Sequence, residues 1–164
     1  MTSKVLKVAG LAAAVIAMTL PHSALATGNF KFKNTGDFTG TGSLTVTSVA
    51  VSIPCQVSLS GTTEGPGAKI TSATFSGATC LAVSPSGLPW SIHPQTIHSM
   101  LIKDVTISAA VLGICGPGRL KAQITTQGKI TISGSGLKSN LGVVPCSVSG
   151  TLQTRPHLEI VGRK

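Results

Sequence analysis

The chain predicts an all-β protein, an antiparallel sandwich or open barrel of roughly seven to nine strands behind a cleaved N-terminal signal peptide. Three observations carry this. Apolar residues alternate with polar ones at period two over most of the chain, Gly and Pro interrupt that alternation at hairpin intervals, and no helical period of useful length follows the signal. Alternation puts one face of each strand on a core and leaves the Ser/Thr face to water.

The signal comes first. Lys4 and Lys7 form a positive start, Val8 to Leu20 an apolar run, and Ala24-Leu25-Ala26 a small-x-small box, which predicts cleavage after Ala26. The run is shorter than the ~20 residues a spanning helix needs. Residues 27–164 then form one exported domain, large enough to bury about two-thirds of its unfolded surface. Removing Lys4 and Lys7 lowers the formal charge from +9 to +7, against four acids, Asp37, Glu64, Asp104 and Glu159.

Strand signals follow in order. Val49, Val51, Ile53, Cys55, Val57 and Leu59 share one parity, as do Val105, Ile107, Ala109 and Val111. Leu120, Ala122 and Ile124 repeat the pattern, then Ile130 and Ile132, then Cys146, Val148 and Leu152. Gly65-Pro66-Gly67, Gly116-Pro117-Gly118, Gln127-Gly128 and Gly134-Ser135-Gly136 read as the turns between strands. Gly116-Pro117-Gly118-Arg119 lacks the G-K-[ST] ending of a phosphate loop.

Four cysteines, Cys55, Cys80, Cys115 and Cys146, lie downstream of the signal, the outer two in matching Pro-Cys phrases. An even count in an exported chain predicts two disulfides, and no C-x-x-C spacing suggests zinc. Cys55–Cys80 with Cys115–Cys146 is favoured because each pair brackets one hairpin-like unit. Cys55–Cys146 with Cys80–Cys115 stays open.

Catalytic signals are thin. There is no G-x-S-x-G, and the four acids are scattered. His93 and His98 flank a Pro-containing loop that, with Asp104, would clasp a metal only if the three converged. The reading is therefore a non-enzymatic protein with no cofactor and no metal site; a small hydrolase using Asp104 or His98 is the distant alternative. The cations are spread from Lys31 to Lys164. Such a field suits loose attraction to a cell envelope or an anionic extracellular polymer. With four Phe, one Trp and no Tyr, nothing interleaves aromatics with cations to recognise nucleic acid.

Trp90 follows Ser84-Pro85-Ser86-Gly87-Leu88-Pro89 and opens a short strand to Ile92. It reads either as a plug for an aromatic-poor core, the favoured reading, or as an exposed indole. Leu88, Trp90 and Leu101 (the last within Met100-Leu101-Ile102) are the candidate contacts to an apolar surface.

The run Thr71 to Cys80, the loop Ser86-Gly87-Leu88-Pro89-Trp90, Cys115-Gly116-Pro117-Gly118 and the closing Val144 to Leu152 resemble the PraB family, protein activators of alkane oxidation. The likeness spans about Asp37 to Leu158. It implies a bacterial secreted or cell-surface protein linked to growth on hydrocarbon and to attachment and biofilm, and it brings no catalytic residue. A structural subunit of an extracellular fibre or matrix is the other reading, with Thr27 to Thr39 as a donated strand and self-association as its mark.

Overall fold

The computed structural model describes residues 29–48, 51–140 and 144–163. The signal residues, with Ala24 and Ala26, lie outside them, as do Val49 and Lys164. Eleven strands form: β1 (Phe30–Phe32), β2 (Gly36–Ser48), β3 (Val51–Glu64), β4 (Gly67–Ser76), β5 (Val83–Ser86), β6 (Trp90–Pro94), β7 (Ser99–Ala109), β8 (Gly113–Ile124), β9 (Lys129–Leu137), β10 (Cys146–Arg155) and β11 (Ile160–Gly162).

Eight of them close a ring in the order β7-β6-β4-β3-β2-β10-β9-β8, sealed by the β7–β8 pairing, and every neighbouring pair is antiparallel. The expected sandwich and open barrel are both antiparallel; the structure is a barrel, but a closed one, which leaves no free edge in the ring. β8 occupies one edge of β7 along its whole length, so β5 and β6 share the other. β5 lies against Thr106–Ala109 and β6 against Met100–Lys103. β1 and β11 form a separate two-stranded ribbon.

Closing a small barrel demands local bending, and the chain supplies it with bulges. Two of the expected turns are in fact such bulges. Gly116-Pro117-Gly118 lies inside β8, where four residues from Cys115 to Gly118 face three from Val105 to Ile107, with Gly116 at φ 118°. Gly134-Ser135-Gly136 lies inside β9, where Gly134 at φ 54° takes up the extra residue opposite Val148 to Gly150. Asp104, at φ 63°, makes a third bulge in β7. Gly65-Pro66-Gly67 and Gln127-Gly128 do connect consecutive strands as read. Gly42 and Gly150 allow β2 and β10 to press together: a Cβ on either would collide with a carbonyl oxygen of the facing strand, of Thr151 and Ser43 respectively.

The inward parity fills the ring. Phe38, Leu44, Val46, Ile53, Val57, Leu59, Ile107, Leu120, Ile132 and Leu152 are buried with all four cysteines. The alternation overreaches at two places. Val51 and Val111 share the inward parity but are exposed: Val51 opens β3, and Val111 lies in the turn beyond the end of β7. The outward positions of β9, β10, β2, β3 and β4 form cross-strand rows of hydroxyls and amides, such as Thr131, Thr151, Ser43, Gln56 and Ser76. A hydrophilic outer wall around an apolar interior is the inverse of a lipid-facing barrel. Among the described residues, no helix is long and apolar enough to cross a membrane.

Candidate functional site

The barrel interior is not a site. Its residual cavity measures about 20 Å³ and is lined by side chains such as Leu44, Val57, Trp90, Ile107 and Leu152, room for about one water and no ligand. Trp90 is 5% exposed, and its indole N–H donates to the Ser86 carbonyl at 2.9 Å. It is therefore withdrawn from the surface contacts and stands as the plug. With so few aromatic rings in the chain, burying its large apolar area outweighs displaying it. Met100 and Ile102 are likewise buried, Leu88 is half-buried against the core, and Leu101 is a half-buried outward residue paired with Lys121 on the wall. The three sequence-chosen contacts do not form one apolar patch.

The histidine loop does not assemble either. His93 and His98 are both exposed, and Thr96 caps the turn between them, its Oγ accepting from the His98 N–H at 3.1 Å. Among the described residues, no three His, Cys, Asp or Glu side chains come close enough to hold a metal. His93 titrates below the ordinary histidine value because partial burial of its ring disfavours the charge and Lys103 repels it, while Asp104 opposes both.

One end of the barrel is distinctive. There β3, β8 and β10 begin, β4, β7 and β9 end, and both disulfides lie: Cys55–Cys80 and Cys115–Cys146, with Cα separations of 5.5 and 5.7 Å. This is the favoured pairing. The first bridge ties the β4–β5 loop to β3, and the second ties β8 to β10 past the end of β9. Hydrogen bonds complete the fastening. Thr79 Oγ donates to the Pro54 carbonyl at 3.1 Å, Leu112 N–H to Ala109 at 3.1 Å, and Asn140 and Ile114 exchange two bonds of 3.0 and 2.7 Å.

On these fastened loops stand Leu81, 90% exposed, and Val111, 64% exposed, with Val51, Ile114 and Val144 between 42% and 45%. Val83 pairs with Ala109, so the turns that carry Leu81 and Val111 leave neighbouring strands at this end. Among the described residues of the loops at this end, Lys138 is the one charged side chain. Ile97 is the sole large exposed hydrophobic described at the opposite end. The sequence did carry a signal for this cluster. Branched aliphatics sit in or beside turns (Cys80-Leu81-Ala82, Ala110-Val111-Leu112, Val143-Val144-Pro145), where polar residues are the rule.

The class so defined is a filled, two-disulfide antiparallel barrel with a hydrophilic wall and one apolar end. Comparison with curated proteins and with solved structures finds no match. The chain belongs to the alkane oxidation protein activator PraA/PraB-like family, whose model matches residues 1–162.

Proposed function

We propose that this protein is a non-enzymatic, exported attachment protein whose apolar barrel end engages hydrocarbon droplets or other apolar surfaces outside a bacterial cell. The observation that carries the reading is the exposure of Val51, Leu81, Val111, Ile114 and Val144 at one nearly uncharged, disulfide-fastened end. Full burial of each such side chain is worth roughly 1.5–3 kcal/mol. Loops already fixed by covalent and hydrogen bonds lose little freedom on contact, so more of that gain is retained. The two disulfides fit an oxidising destination, and the family's name supports a link to alkane use.

The fibre reading receives less support. The segment it would donate is engaged within its own chain over the described residues, Phe30–Phe32 on β11 and Gly36–Thr39 along β3 and β10. Partition of purified residues 27–164 onto hexadecane droplets tests the proposal. The protein should adsorb, and Leu81→Ser with Val111→Ser should remove most adsorption while leaving the melting temperature unchanged. No adsorption by the parent protein, or equal adsorption by the double variant, would overturn it.

A further inference from the structure

The outer wall is not uniform, and strand register shows how. Across β4, β6, β7 and β8 one row reads Lys69, Ser91, Lys103, Arg119, and the next row toward the end opposite the disulfides reads His93, Leu101, Lys121. Lys103 and Arg119 are directly opposed on neighbouring strands, an arrangement that costs stability unless an anion relieves it. At an interstrand spacing of about 4.8 Å, Lys69 and Lys103 stand roughly 10 Å apart, with Arg119 one strand further. The hydroxyl rows of β10, β2 and β3 hold no such set.

Two grooves run along this wall and meet at Gln95. One, of about 850 Å³, lies between the β1–β11 ribbon and β4, β6 and β7, bordered by Phe30, Lys69, His93, Lys103 and Arg163. The other, of about 570 Å³, crosses β7, β8 and β9 and is bordered by Arg119 and Lys121 among Ser99, Gln123, Thr131 and Ser133. No acid borders the second groove among the described residues. In the first, Glu64 is held by Lys69 at 2.9 Å. Asp104 is the other acid near the wall, felt at His93 together with Lys103.

The geometry points to a binding track for a linear acidic polysaccharide, its carboxylates on the directly opposed Lys103 and Arg119 and its hydroxyls on the serines, threonines and glutamines around them. An extended polymer suits two shallow grooves in line better than a compact ligand would. The neutral hydrogen-bonding groups interleaved with the cations match a hydroxyl-rich chain. Nucleic acid fits less well, since Phe30 and His93 are the aromatic rings lining the track and offer no succession of stacking faces. This track shares no residue with the apolar end, so the two assignments fail or stand separately.

Binding of residues 27–164 to polygalacturonate, to neutral dextran and to duplex DNA, all in one buffer, tests the track. Polygalacturonate should bind and dextran should not. Lys103→Gln with Arg119→Gln should weaken polygalacturonate about tenfold or more, because each loses a charge-assisted contact. Lys31→Gln with Lys138→Gln removes the same charge away from the track and should change affinity less than about twofold. Equal loss in the two double variants would reduce the track to a diffuse positive field and overturn the assignment. DNA binding as tightly as polygalacturonate, with the same dependence on Lys103 and Arg119, would overturn the polysaccharide in favour of nucleic acid. No binding by the parent protein would remove the proposal altogether.

Discussion

The two ends of the barrel are closed by different chemistry. At the apolar end two disulfides and short turns fasten loops that carry Leu81 and Val111 into solvent. At the other end closure comes from hydrogen bonds and burial. Thr154, fully buried, donates to the Gly128 carbonyl at 2.9 Å and accepts from the Leu158 N–H at 3.0 Å, which seats Leu158 in the core. The β1–β11 ribbon lies nearby, joined across its far side by Lys33 and Glu159 at 2.8 Å. The difference is instructive. The loops at the first end bury Leu112 and Cys80 but turn Val111 and Leu81 outward, and the disulfides supplement that partial burial. The second end closes without a disulfide among the described residues.

The largest expected effect tests that contrast. Replacing Cys115 and Cys146 together by Ala should lower unfolding free energy by about 3–4 kcal/mol, the loop-closure value for a separation of 31 residues. Urea unfolding measures it. A loss below about 1 kcal/mol would mean that the apolar end does not depend on its covalent fastening. Next in size, Thr154→Val should cost about 1–3 kcal/mol, since it strands the buried Leu158 N–H without a partner. If that change cost nothing, hydrogen bonding would not be what closes the second end.

The smallest effect sharpens the electrical side of the comparison. His93, on the cationic wall, should titrate below the ordinary value of about 6.5 when followed by NMR. The folded state then holds this ring neutral where the unfolded chain would already bind a proton. The small associated stability is present above about pH 6.5 and is lost as pH falls through the window just beneath it. Lys103→Gln should move the midpoint upward by removing the repulsion. A midpoint that ignores Lys103 would show that the wall's cations do not act on one another.

Much of this fold was legible in the residues. Ile53 to Leu59 alternate into the core as read, because a strand covered on one face by a filled barrel leaves its period in the sequence. Trp90 as a plug followed from the scarcity of rings. Parity failed at Val51 and Val111 because it marks a face without marking where a strand begins or ends. Gly116-Pro117-Gly118 misled for a related reason: Gly and Pro relieve backbone strain at bulges as well as in turns. The cationic row was beyond any linear reading. Lys69, Lys103 and Arg119 are far apart in the chain, and only strand register brings them into line.

The ribbon of β1 and β11 has a practical consequence. The Arg163 N–H donates to the Asn29 carbonyl, so the two ends of the described chain are neighbours, on the half of the barrel away from Leu81 and Val111. A fluorophore or fusion partner attached at either end would be carried away from the apolar tip, leaving it unobstructed. Linking Asn29 to Arg163 through a short bridge should be tolerated, and the chain could then be opened at the Gly65 turn to make a circular permutant with its tip unaltered.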